Sequence, residues 1–423
     1  MGPREDRTGG QATKRFEAKR EAIVAAAADV INQQSAKGMT FADVARRVGL
    51  NTTSVTYYFK RKEDLAAACF EQTLERLEAM LDVALHEQAP ETRVGRFLAE
   101  NFRRLARIRS GAERDVAALS DLRAMEDPLR ERLLDAWRLL HAKARRLWGT
   151  PASEELAGLI DARAHLLLEN VSWLPTWLAH YDLDEYPRIE ARLREIFFFG
   201  IAAPDQRWAP APLRISPREH EPGREMFLHA ATRLINELGY RGASVERIVA
   251  ELNVTKGSFY HHLDAKDELV IACCRRSFDT IGEAQRAAEA LSGSHWLQLT
   301  SLLAHLLETQ FSETGPLLRT TALSGLPLRV RTAMIDRSNR VARRFAGMLI
   351  DGVAEGSLRP VDPLIAAQVL MALHNAALDL RSWAERMPVA RACGLYASAL
   401  AFGMFDDSVL EHFPAGDIDR VKA

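Results

Sequence analysis

Two short segments gather the side chains best suited to chemistry. Asn51-Thr52-Thr53-Ser54-Val55-Thr56-Tyr57 offers a row of hydroxyls, and Thr255-Lys256-Gly257-Ser258-Phe259-Tyr260-His261 offers an ammonium, hydroxyls and an imidazole. Hydroxyls and a lysine at the start of a helix hold phosphate oxygens, and side chains near that helix's N-terminus reach base edges. Lys256 favours the acceptors of guanine, whereas Thr52 at the same position can bond several bases or touch a thymine methyl. Gly257 lets a backbone approach its ligand closely. Val55, Phe59 and Phe259 fit a core better than a contact surface.

These segments are positioned by a repeat. Sliding the chain by 204 positions lays Arg20–Cys69 onto Arg224–Cys273 without a gap. Identities include Ala26/Ala230, Asn32/Asn236, Gly38/Gly242, Ser54/Ser258, Lys62/Lys266 and Cys69/Cys273, and the apolar phase is kept between them. A register kept over 50 residues implies two homologous halves. Apolar residues recur at helical spacing in Arg20–Gln34, Glu154–Leu178, Arg188–Ala202, Val330–Val353, Leu364–Arg386 and Val389–Met404, and no run alternates as a strand would. The fold is expected to be all-α. Within each repeat Gly38 is expected to end the first helix, Thr40 to cap a second over Phe41–Val48, and Gly49 to take a left-handed turn. Asn51 then caps a third over Thr52–Phe59; Gly242, Ser244, Asn253 and Thr255 repeat these roles. Such a helix-turn-helix enters the major groove of DNA, although the same hairpin also serves in purely structural bundles. Residues 1–62 hold 12 Lys and Arg against 6 Asp and Glu, which suits phosphate, or simply a solvated basic face. Lys14, Arg15, Lys19 and Arg20 could extend the grip as an arm. Residues 200–223, with five prolines, read as an extended linker.

The stretches TFADVARRVGLNTTSVTYYFKRKEDL (Thr40–Leu65) and SVERIVAELNVTKGSFYHHLDAKDEL (Ser244–Leu269) resemble the TetR (tetracycline-repressor) family of bacterial transcription regulators. The resemblance covers about 50 residues of each half, and the first copy departs from it with Thr56 where the family has tyrosine. It implies two halves, each a three-helix DNA-binding head followed by a helical ligand-binding and pairing domain. The expected divisions are 1–62, 63–208, 209–266 and 267–423. DNA contacts are expected from Thr40, Thr52, Thr53, Ser54, Tyr57, Tyr58 and Lys62, and from Ser244, Lys256, Gly257, Ser258, Tyr260, His261, His262 and Lys266. Family members usually pair as homodimers through their last two helices. Here Glu154–Leu178 with Arg188–Ala202 would meet Leu364–Arg386 with Val389–Met404 in an intrachain pseudo-dimer, leaving the chain a monomer or a loose homodimer. The echo of FFFGIAA (Phe197–Ala203) in LAFGMFD (Leu400–Asp406) supports that pairing.

The remaining expectations are the following. The partners are a double-stranded DNA operator and a small-molecule effector of unknown class. Glu169, Asn170, Trp173, Trp177 and His180, with His374, Asn375, Asp379, Arg381 and Trp383, mix polar groups with aromatics as an effector pocket needs; Asn170, Trp173, Trp177, His374, Asn375 and Trp383 are the candidate lining. Trp173 and Trp177, four residues apart, read more readily as interface core. No metal is expected, since His261 and His262 are adjacent and point about 100° apart on a helix. Neither a cofactor nor an enzyme is expected, because GxSxG, P-loop, dinucleotide and deaminase motifs are missing. The polar start and four scattered cysteines fit a cytoplasmic protein. The apolar clusters, such as Ile196 to Ala203, are too short for a membrane span. An interaction or ligand-sensing module with partly degenerate heads is the alternative.

Overall fold

Helix follows helix because the apolar stripes need only one buried face each. The computed structural model describes residues 7–215, 222–262, 266–312, 315–320 and 328–413, and among these there is no strand, only an isolated bridge between Ala202 and Leu358. The first half contributes α1 (Arg7–Gln34), α2 (Phe41–Val48), α3 (Thr52–Tyr58), α4 (Lys62–Leu85), α5 (Pro90–Arg109), α6 (Leu129–Arg145), α7 (Glu154–Leu178) and α8 (Tyr186–Phe199). The second contributes α9 (Pro222–Gly242), α10 (Val245–Glu251), α11 (Lys256–His262), α12 (Lys266–Glu289), α13 (His295–Phe311), α14 (Leu328–Glu355), α15 (Pro363–Ala376), α16 (Arg381–Ala384), α17 (Val389–Ala401) and α18 (Val409–His412). From α3/α11 to α4/α12 the boundaries keep the sequence offset of 204.

Four details differ from the sequence expectation. The chain leaves the first helix at Ser35 (φ 67) and at its repeat counterpart Gly239 (φ 70), three residues before Gly38 and Gly242. The earlier turn brings Met39 fully into the core. Helix α1 reaches back to Arg7, so Arg15, Lys19 and Arg20 are helical, not an arm. Arg20 places its guanidinium 5.2 Å from the centre of the Phe59 ring. Leu364–Arg386 is broken: α15 gives way to a 3-10 turn over Ala377–Leu380 before α16. The overlapping segment Pro363–Ala384 is long and apolar enough to cross a membrane, contrary to expectation, but 67% of its apolar window is buried among other helices. It reads as the core helix of a bundle.

The chain divides into two compact units, Met1–Ala79 with Arg107–Leu140, and Met80–Ala106 with His141–Ala423. In the first, Ile23, Val30, Val44, Val55 and Leu65 are fully buried between α1, α2, α3 and the start of α4. The side chain of Asn32 clasps the segment after α5, donating to Val116 O (2.9 Å) and accepting from Ala118 N (2.8 Å). In the second unit Asn236 repeats the clasp on Leu317 O and Arg319 N, both at 3.0 Å. That explains an identity in the repeat that has no DNA-binding meaning. Cys69 and Cys273 are likewise packing residues, with thiols pointing at Val24 O and Leu228 O, and burial pushes them up to about 12 and about 11.

The second unit holds helices from both halves in one bundle. Trp173 Nε1 donates to Gln368 Oε1 (3.2 Å), Trp383 Nε1 to Gly158 O (3.0 Å), and the buried Arg163 binds Asp407 Oδ1 (2.6 Å) and Asp406 O (2.7 Å). The echoed FFFG and AFGM segments meet backbone to backbone. Ile201 N donates to Leu400 O and Ala401 O, both at 3.1 Å, and Met404 N to Phe197 O at 2.7 Å. Beyond a turn at Pro204-Asp205, residues 206–215 carry neither helix nor strand and are pinned to the bundle, with Trp296 Nε1 on Arg207 O (2.7 Å) and Ala211 N on Ser301 Oγ (2.8 Å).

Candidate nucleic-acid interface

In the first head α2 starts where Thr40, in extended conformation, accepts Asp43 N at 3.2 Å. The Thr40 hydroxyl in turn donates to Asp43 Oδ2 (2.6 Å), which with Arg46 holds the Asp43 carboxyl below its usual range. Gly49 (φ 65) reverses the chain, and Leu50 N closes the turn on Ala45 O. Asn51 Oδ1 then caps α3, accepting from Ser54 N and Ser54 Oγ, both at 2.7 Å. A left-handed residue followed by an Asx cap fixes the angle between the two helices, which is what a groove-reading hairpin requires. Val55 is fully buried beneath α3 and Phe59 nearly so. The exposed face carries Thr52, Thr53 and Tyr57, with Tyr57 68% exposed. Tyr58 is half-buried against Phe16 of α1 (ring centres 4.7 Å apart), a support that the sequence reading missed. Lys62 Nζ donates to Lys37 O at 3.0 Å, tying the start of α4 to the turn after α1.

The second head uses the same design with other residues. Ser244 Oγ accepts Arg247 N (3.3 Å), Asn253 takes the left-handed turn (φ 52), and Thr255 Oγ1 accepts Ser258 N (3.3 Å). Phe259 is fully buried edge-on to Phe227, and Tyr260 stands 53% exposed. A Cβ on Gly257 would meet only Thr255 Oγ1, at 3.6 Å, so that face is open. Lys256 lies on the exposed surface but its Nζ is 2.6 Å from Glu246 Oε1 on α10. The hydrogen bond from Lys256 leads the effects that hold the Glu246 carboxyl down to about 2, and the same contact raises the Lys256 ammonium. Nothing in the spacing of residues 246 and 256 announced that pair. The side chains of His261, His262 and Lys266 lie outside the described residues.

Thus Thr40, Thr52, Thr53, Ser54 and Tyr57 come together on one head, and Ser244, Lys256, Gly257, Ser258 and Tyr260 on the other. Their surfaces differ: α3 carries no charged side chain, whereas α11 begins with a lysine.

Comparison with known proteins agrees with this geometry. The family described as "Bacterial regulatory proteins, tetR family" matches at residues 23–69 and again at 227–273. The chain is 28% identical over 169 residues to the HTH-type transcriptional repressor DhaR of Mycobacterium sp. (strain GP1), spanning 39% of this chain and 84% of DhaR. It is 29% identical over 204 residues to the HTH-type transcriptional regulator RutR of Escherichia coli (strain K12), spanning 46% of this chain and 89% of RutR. A solved TetR-family transcriptional regulator from Bordetella parapertussis 12822 aligns with 42% of the chain and 92% of its own, at 21% identity and a TM-score of 0.35. Two helix-turn-helix heads of this kind define a DNA-binding regulator. Each head matches the tetR family of bacterial regulatory proteins, and the two stand in tandem in one polypeptide.

The expected effector residues sit in the second unit. Asn170 is buried with Nδ2 on Leu166 O, Asn375 bonds Met371 O and accepts Thr320 N, and Trp173 and Trp383 bond the opposite half. Trp177 is 5% exposed, edge-on to Tyr181. His374 is fully buried with Nδ1 2.9 Å from Leu370 O, and burial pushes its imidazole down to about 4. These polar atoms are used within the protein. A cavity of about 240 Å³ lies elsewhere, between Phe199, Trp208, Phe402 and His412, and none of the six lines it.

Proposed function

We propose that this regulator is a repressor that reads one asymmetric operator with two different heads. The carrying observation is the inequality of the recognition helices, Thr52–Tyr58 against Lys256–His262, on frameworks that otherwise repeat. A homodimer presents the same helix twice and so selects matching half-sites. Here one helix offers hydroxyls and phenols, the other an ammonium and imidazoles. The first head supplies more sequence-independent grip: its surplus is six positive charges over residues 1–62, against one over residues 214–266, where 8 Lys and Arg face 7 Asp and Glu. Thr40, Ser54, Tyr58, Lys62, Ser244, Ser258 and Lys266 hold or position phosphate contacts, while Thr52, Thr53, Lys256 and Gly257 face bases. The bonds between α7, α8, α15 and α17 support an intrachain pseudo-dimer, so that one chain serves one operator. The likeness of both heads to the family supports adding release by a small-molecule effector and a cytoplasmic, non-enzymatic role to this reading.

Selection of binding sites from random DNA tests the reading. Two dissimilar half-sites, about one helical turn or a simple multiple apart, are expected. Two identical inverted half-sites would overturn it.

A further inference from the structure

The second unit contains a buried polar cluster that DNA binding does not use. His165 and Glu169 lie four residues apart on α7 and therefore share a face. Asp379, in the 3-10 turn after α15, meets them. One nitrogen or oxygen from each of the three lies within 4.8 Å of the others. His165 is 4% exposed, with Nε2 3.0 Å from Ala376 O. The Asp379 carboxylate is 13% exposed and gripped at both oxygens by the Arg319 guanidinium. Glu169 is half-buried, close enough for its charge to act on Arg319 and Tyr396, yet it makes no hydrogen bond or ion pair among the described residues.

Arg319 meets the charge of Asp379, whereas the half-buried Glu169 carboxylate beside it has no ion pair among the described residues, and a carboxylate so placed is costly without a cation of its own. An imidazole with two carboxylates is a borderline donor set, matched to zinc-like ions better than to magnesium or calcium. Arg319 does not block coordination, since a carboxylate can accept from a guanidinium and still ligate a metal, and such a hydrogen bond is the usual orienting shell of a ligand. We propose that His165, Glu169 and Asp379 bind a divalent transition-metal ion of the zinc class. The ion joins α7 of the first half to the turn after α15 of the second. It also bears on Arg319, whose backbone N–H is held by Asn236 of head helix α9. This goes beyond the DNA-binding reading and does not depend on it.

The test uses the full chain, stripped with chelator and titrated with zinc sulfate, with bound metal measured by mass spectrometry of the element and affinity by calorimetry. One equivalent should bind saturably, and the melting temperature should rise by about 5 °C at a hundredfold excess over Kd. Glu169→Gln, which breaks no hydrogen bond among the described residues, should weaken binding at least about tenfold and remove the melting shift. His165→Asn should act alike, with circular dichroism confirming that both variants fold. Failure to bind one saturable equivalent would overturn the site. So would unaltered binding by folded Glu169→Gln, which would place the zinc on surface histidines instead.

Discussion

Replacing Gly200 with alanine should loosen the join between the two halves, and its cost can be worked from the contacts. Gly200 lies at φ 66, ψ −166, a region that costs other residues roughly 1–3 kcal/mol. A Cβ there would also sit 2.3 Å from Ala401 O and 2.6 Å from Phe402 N, which are backbone atoms and cannot swing aside. Moving them strains the bonds from Ile201 N to Leu400 O and Ala401 O, worth about 1 kcal/mol each. The sum is about 3–5 kcal/mol, or a fall of about 5–10 °C in melting temperature for a unit of this size. Gly403→Ala should behave alike, since φ is 98 and its Cβ would lie 2.5 Å from Phe198 O. Gly356→Ala is the control: φ is 85 but nothing lies within 4 Å, so only strain of about 1 kcal/mol applies. Calorimetric melting of the three variants decides. If Gly200→Ala melts no lower than Gly356→Ala, the reciprocal glycine contact does not hold the halves together.

Lys62→Ala should weaken DNA binding across sequences and lower the salt slope by about one unit, through the lost phosphate contact and the untied Lys37 turn; fluorescence anisotropy at several salt concentrations checks this, and an unchanged slope would refute it. Glu246→Gln should free Lys256 for DNA, tightening binding a few-fold and steepening the salt slope by about one unit. Weaker binding by that variant would mean that the ion pair positions the lysine rather than sequesters it. His374 is pushed down to about 4, whereas a free imidazole titrates near 6.5. The unfolded chain therefore takes up a proton first, so stability present above about pH 6.5 is lost as pH falls toward 4, by about 3 kcal/mol. His374→Leu should flatten urea-melting stability over that window, and an unaltered pH dependence would remove His374 from the account.

How much the sequence disclosed depended on the range of the interactions. Caps and turns are local, so Thr40, Gly49, Asn51, Ser244 and Asn253 could be placed from residue type and spacing, and the structure seats each as expected. Ser35 broke the rule because serine seldom adopts the left-handed conformation, which left Gly38 as the apparent helix end. Its repeat counterpart Gly239 was the available clue. The effector region was less legible because the same residue types suit a pocket and an interface. Trp173 meets Gln368, and Trp383 meets Gly158, partners 195 and 225 residues away that no local pattern encodes. The His165, Glu169 and Asp379 cluster is harder still, since only the bundle brings residue 379 to a helical pair more than 200 positions earlier.

The repeat separates two kinds of constraint. Asn32 and Asn236 make the same clasp in both halves, and Cys69 and Cys273 the same packing contact, so these identities report the shared framework. Function must be sought where the copies differ on equal frameworks. Lys256 stands where the first head has Thr52, and Tyr260 where it has Thr56. A homodimer cannot hold such differences, because every substitution appears twice in its interface. One chain carrying both copies can assign a buried arginine to one side and the accepting Asp406 and Asp407 segment to the other. Joining the halves thus permits an asymmetric interface and two unlike DNA-reading surfaces together.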